Sequence, residues 1–156
     1  MTARRAKRTS TAPLPTRFAG PGQSPGFLLW RISNAWQRRQ RAALQPLGLT
    51  HSQFVVLAVA VWFGGSEKLT QARLAELCGI DPMSTSQIVR ALQAAGLLER
   101  REHDEDSRAK TVEVTTAGRE KARAASAVVE KTDEEFFAPV GASTERLVKI
   151  FKLLAQ

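Results

Sequence analysis

The sequence predicts a mainly α-helical fold carrying one small β-hairpin, and three observations support that expectation. Apolar residues recur at spacings of three and four along most of the chain after residue 26. The period switches to two only between Leu98 and Val114. Helix caps and breakers fall between the periodic stretches: Thr50, Gly64-Gly65, Asp81-Pro82, Gly96, and Pro139 with Gly141.

A chain of 156 residues, 43% hydrophobic and 24% charged, is about one domain long and can bury a core without disulfides or a structural metal. The lone cysteine, Cys78, excludes an intramolecular disulfide framework and suits a reducing compartment, so a cytoplasmic protein is expected. The longest apolar run, Phe54 to Phe63, is ten residues, half of the roughly 20 that span a bilayer. The basic first 26 residues lack a signal peptide's apolar stretch, so no membrane association is expected.

Charge is distributed unevenly. Residues 1–66 hold nine Lys/Arg and no Asp or Glu, whereas residues 67–156 hold fourteen basic and fifteen acidic residues. Five of the nine (Arg4, Arg5, Lys7, Arg8, Arg17) lie in a start rich in Pro, Gly, Ser and Thr, and Arg31, Arg38, Arg39 and Arg41 lie in the first helix. Such an excess favours polyanionic partners, although a solubilising tail has the same composition.

Residues 1–25 have too few large apolar groups to offset the entropy of ordering and read as a disordered basic arm ahead of one domain, 26–156. A helix follows Pro25-Gly26 and runs to about Gln45, where Pro46 stops it. Leu29, Ile32, Trp36 and Ala43, with Leu47 just beyond, trace its inward stripe; Arg31, Asn34, Arg38 and Arg41 lie on a separate polar one. Thr50 with Gln53 makes a capping box for an apolar helix, Gln53 to Phe63, ended by Gly64-Gly65. A short third helix opens at Thr70 and closes near Cys78-Gly79, with Leu74, Leu77 and Cys78 inward. Asp81 as cap and Pro82 in the first helical position start a fourth, backed by Ile88, Val89 and Leu92 and stopped by Gly96.

Leu98 to Arg101 and Lys110 to Val114 read as a hairpin around the polar loop His103 to Ser107. Thr115 or Thr116 caps a long helix to about Phe137, ended by Pro139 and Gly141. A last helix from Ser143 carries Leu147, Ile150, Phe151 and Leu154 on one face, which suggests pairing with a second chain.

The stretch from Thr70 to Thr116 carries the functional signal. A short helix, a turn at Gly79 and a second helix opening with small polar residues form a helix-turn-helix pattern. The DNA major groove, about 12 Å wide, admits one helix whose N-terminal side chains touch base edges. Ile88, Val89 and Leu92 supply the apolar back such a helix needs, and Ser84, Ser86, Gln87 and Arg90 its hydrogen-bonding front. Many helical proteins contain such a pair. The hairpin that follows, bracketed by Arg100, Arg101, Arg108 and Lys110, completes a winged-helix pattern able to reach phosphate or the minor groove.

Residues Arg101 to Gly118, with Asp106-Ser-Arg108 in the loop and Thr115 opening the long helix, resemble the wing signature of the MarR family of transcriptional regulators. Leu69 to Leu98 resembles the same family's helix-turn-helix, and Leu47-Gly-Leu-Thr-His-Ser-Gln-Phe54 its approach to the second helix. The resemblance covers about residues 26–156, with the winged helix-turn-helix at about 50–115. It implies dimerisation helices at about 26–46 and 115–156, and a homodimer that places two winged helices on a pseudo-palindromic double-stranded operator. It also implies repression relieved by a small effector, aromatic or phenolic. Arg108 matches the wing arginine that enters the minor groove, and Asp106 the carboxylate that orients it. Ser84, Ser86, Gln87, Arg90 and Lys110 fall at DNA-facing positions. Trp30, His51 and Phe54 are candidates for an effector pocket between the first two helices and the fifth, though packing also explains these aromatics.

Two features depart from the family pattern. Gln87 stands where arginine is common, which suits bidentate contact to adenine. The wing tip, Asp104-Glu105-Asp106, is acidic, which throws more of the wing's phosphate attraction onto Arg108.

His103 and the three acids after it read as a solvated turn with one Asp–Arg pair rather than a metal site. Cys78 reads as an inert core thiol. No nucleophile–base pair, paired carboxylates or phosphate loop occurs at a useful spacing, so neither enzyme activity nor a cofactor is expected. A basic architectural DNA-binding protein without ligand control is the nearest alternative, and a pure dimerisation module the next.

Overall fold

The computed structural model describes residues 14–101 and 111–155. The cluster Arg4, Arg5, Lys7 and Arg8 and the wing residues Asp106, Arg108 and Lys110 therefore lie outside the described residues. The chain divides into two compact units, one ending at Trp36 and the other beginning at Gln37, with the division inside the first helix.

In the first unit a single 3-10 turn, Pro21–Gln23, occupies part of the segment expected to be without structure. Helix α1 (Pro25–Leu44) then opens with the Ser24 hydroxyl accepting from the Phe27 amide at 3.4 Å. Leu29 and Ile32, expected on an inward stripe, are 57% and 47% exposed. A helical period marks a face suited to burial; it does not say what buries it.

The second unit holds the last two turns of α1, then α2 (His51–Phe63), α3 (Gln71–Cys78) and α4 (Pro82–Ala94). Strands β1 (Leu98–Arg101) and β2 (Thr111–Val114) follow, then α5 (Thr116–Phe137) and α6 (Thr144–Leu154). The capping box forms as expected: Thr50 Oγ1 accepts from the Gln53 amide at 3.2 Å and Gln53 Oε1 from the Thr50 amide at 2.9 Å. Helix α2 starts two residues earlier than its apolar pattern because His51 and Ser52 are the polar first turn that this cap creates.

Leu57, Leu74, Val89 and Leu92 form the centre of a core closed by Leu98, Val112 and Ala125, all buried. The antiparallel strands pair Leu98 with Val114 and Arg101 with Thr111. A third segment joins them unannounced by the sequence: Thr70 bridges to Thr111, and the Val112 amide donates to the Leu69 carbonyl at 2.7 Å. The hairpin is thereby tied to the start of α3. Gly118 lets α5 approach the same corner, since a Cβ there would run into the Leu97 carbonyl and the Val114 side chain.

Gln40 is fully buried, and its Nε2 donates to Asp133 Oδ1 on α5 at 2.7 Å. Sequence reading left both residues unremarked, although Gln40 lies four residues from Leu44 and Asp133 four from Val129, on buried faces. Helix α6 has no buried residue and exposes Val148, Ile150, Phe151, Leu153 and Leu154. Among the described residues no single helix is long and apolar enough to cross a membrane.

Candidate nucleic-acid interface

The turn between α3 and α4 is set by Gly79, whose φ of +63° is left-handed and open to glycine at little cost. Its amide donates to Glu76 O at 3.2 Å and the next, from Ile80, to Ala75 O at 3.1 Å, which closes α3. Asp81 then caps α4: its Oδ1 accepts from the Ser84 amide at 2.9 Å, and Pro82 takes the first helical position. Hydrogen bonds from the Ser84 hydroxyl and then its amide hold the Asp81 carboxyl below the usual carboxylate range, so the cap is anionic at neutral pH.

Helix α4 packs on Val89 and Leu92, with Ile88 half-buried beside them. Its buried face also contains Thr85, fully enclosed, whose hydroxyl donates to the Asp81 carbonyl at 2.9 Å. Thr85 was not singled out by the sequence; four residues ahead of Val89, it continues the apolar back as a threonine that satisfies itself on the preceding turn. Gln87 and Arg90 are exposed, and Ser84 and Ser86 are half-buried on the flanks. Met83, which sequence reading passed over, is 75% exposed in the first turn and lies four residues before Gln87. The outward face of α4 thus runs Met83, Gln87, Arg90, polar with one apolar tip.

Of the three effector-pocket candidates, His51 and Phe54 lie in the second unit and line different clefts. Trp30 belongs to the first unit, 63% exposed, with its ring stacked on Phe27 at 6.1 Å. His51 is half-buried on a cleft of about 540 Å³ that it shares with Arg41, Ser84 and Gln87. Burial lowers the imidazole's pKa from its ordinary value, against the opposing pull of the Asp133 carboxylate. Phe54, three residues on, is buried at the floor of a different cleft, about 410 Å³, between α2 and α5. Val129 and Ala122 extend that floor, while Trp62, 83% exposed, Arg119 and Arg123 stand at its rim.

Cys78 is half-buried, and burial pushes its thiol pKa up, which leaves it protonated and unreactive at neutral pH. Among the described residues no cluster of His, Cys, Asp or Glu could hold a metal ion.

Comparison with known proteins agrees with this geometry. Residues 47–109, from the turn before α2 through most of the wing, match the MarR family. The chain is 40% identical over 124 residues to the HTH-type transcriptional regulator YdcH of Bacillus subtilis, covering 79% of this chain and 84% of that protein. It is 32% identical to the HTH-type transcriptional repressor Rv2887 of Mycobacterium tuberculosis, covering 80% of this chain and 87% of the other. The structure of Rv2887 in complex with salicylic acid superposes with a TM-score of 0.64, over 85% and 96% of the two chains. CouR from Rhodococcus jostii, bound to p-coumaroyl-CoA, superposes with a TM-score of 0.77 at 26% identity, over 88% and 93%. A winged helix with its polar helix outward, in a chain this similar to such regulators along most of its length, is a member of the MarR family of HTH-type transcriptional regulators.

Proposed function

We propose that the protein is a repressor that binds a pseudo-palindromic DNA operator as a homodimer and releases it when a small aromatic or phenolic molecule binds. The observation that carries this reading is the division of α4 into a closed apolar back and an outward row of Met83, Gln87 and Arg90. Gln87 reads adenine through N6 and N7, Met83 supplies an apolar contact of the kind that suits a thymine methyl, and Arg90 reaches guanine or phosphate. Ser84 and Ser86 contribute at the edges, although the Ser84 hydroxyl also serves the Asp81 cap. Arg108, oriented by Asp106, enters the minor groove, with Lys110 on the adjoining phosphate.

The exposed apolar face of α6 supports self-association, as does the row Phe27, Leu29, Trp30 and Ile32 on α1. Of the two clefts, the one floored by Phe54 suits an aromatic effector, because its lining is mainly apolar and its size lies within the usual range for ligand pockets. Two structural relatives bound to salicylic acid and p-coumaroyl-CoA support that class of ligand. The role is binding rather than catalysis, in the cytoplasm.

Mobility shifts against the gene's own upstream region test the reading. The expected result is a preference of roughly 10³-fold or more over random duplex, lost on adding an effector found by thermal shift. Arg108→Ala is expected to weaken operator binding by about 1–3 kcal/mol. Equal affinity for any duplex would instead favour an architectural protein.

A further inference from the structure

The cleft beside α4 has features that base reading does not use. Among its lining residues only Ile88 is apolar, and none is a carboxylate. Arg41, in the last turn of α1, lines this cleft, is exposed, and has no ion-pair partner among the described residues. Arg39, two residues earlier, lies over the Phe136 ring at 5.2 Å and does not line the cleft. Ser84, Gln87 and the exposed Ser52 line the same cleft.

Duplex seated on α4 carries its backbone along both edges of the groove that the helix occupies. A cleft that opens between the base-reading residues and a lone cation therefore lies where a phosphate passes. Its lining, one guanidinium with hydroxyl and amide groups and no carboxylate, is that of a phosphate contact, although the Ser84 hydroxyl is taken by the neighbouring Asp81 carboxylate. The absence of any acidic residue before Glu67 has the same consequence, since every formal charge that α1 and α2 bring to this edge is positive.

We propose that Arg41, assisted by Ser52, holds a DNA backbone phosphate beside the bases read by α4. The DNA-binding surface then extends past the helix-turn-helix and wing onto the end of α1. This rests on the reading of α4 as the base-contacting helix, and the experiment separates the two.

Full-length protein and its Arg41→Gln, Arg41→Lys, Arg39→Gln and Gln87→Ala variants are titrated against a preferred and a random duplex over a potassium chloride series. Arg41→Gln is expected to weaken both duplexes by the same factor, roughly tenfold. It should also lower the slope of log affinity against log salt by about 0.9. Arg41→Lys should keep most of the slope, and Arg39→Gln all of it. A scan of neutral methylphosphonate linkages should find one position whose loss is not increased further by Arg41→Gln.

The proposal is overturned if Arg41→Gln keeps the wild-type slope while Gln87→Ala still erodes sequence preference; the cleft then serves a small ligand or nothing. Equal slope losses in Arg39→Gln and Arg41→Gln overturn it too, since they report general charge and not a site. If Gln87→Ala changes nothing, the reading of α4 fails on its own, and the Arg41 slope is judged separately.

Discussion

The winged-helix lobe and the terminal helix α6 are both written in helical periods, yet they end in opposite states. In the lobe, Leu57, Leu74, Val89 and Leu92 meet in a closed core, and each helix start is capped by Thr50, Thr70 or Asp81. In α6 the same kind of stripe leaves Ile150, Phe151 and Leu154 in the open, with no side-chain cap at Ser143. The lobe closes over its own apolar residues; α6 carries an apolar face that the described residues leave uncovered. A stripe thus predicts a helix and its buried side in advance, but the surface that buries it can belong to another copy.

The largest expected effect breaks that contrast at α6. Phe151→Ser with Leu154→Ser should convert the proposed dimer to monomers in light scattering while the helical circular dichroism of the lobe is retained. A dimer that survives both changes would mean that α6 is not what joins the copies. Within the lobe, Leu74→Ala should lower unfolding stability by about 2–5 kcal/mol through loss of buried volume, measured by urea denaturation. A cost under 1 kcal/mol would show that the α3–α4 core is looser than its burial implies.

The next pair sharpens the comparison inside α4 itself. Gln87→Ala should weaken operator binding by about 1–3 kcal/mol and leave stability unchanged, because the side chain is exposed. Thr85→Val, two positions away, should cost about 1 kcal/mol of stability through its lost hydrogen bond and leave DNA affinity unchanged. Reversed results would turn the helix around.

The smallest effect is on pH dependence. Burial lowers the His51 pKa below its ordinary 6.5 in the folded chain, so the unfolded chain takes up a proton first as pH falls. Stability should then be full above about pH 6.5 and decline on acidification towards the folded value, with Asp133 limiting the loss. His51→Gln should flatten that decline between pH 7.5 and 5.5; an unchanged profile would remove His51 as its source.

Much of this was legible in the sequence for local reasons. Thr50, Asp81-Pro82, Gly79 and Thr115 each set a boundary through contacts a few residues away, so the helix starts follow from short motifs. The polar front of α4 was legible from its spacing against Val89 and Leu92. What escaped was non-local: the Leu69–Val112 hydrogen bond, the burial of Gln40 against Asp133 and the division of His51 and Phe54 between two clefts. Each joins residues far apart in the chain, or turns on a few degrees of helix rotation that no periodicity resolves.

The central claim is that α4 reads bases, and selection from a random duplex library tests it most directly. Wild-type protein should enrich a pseudo-palindrome whose half-sites lie about one helical turn, or a multiple of it, apart. Gln87→Ala should enrich a motif degenerate at one position of each half-site. Enrichment of no sequence, or of the same motif by both proteins, would contradict the account.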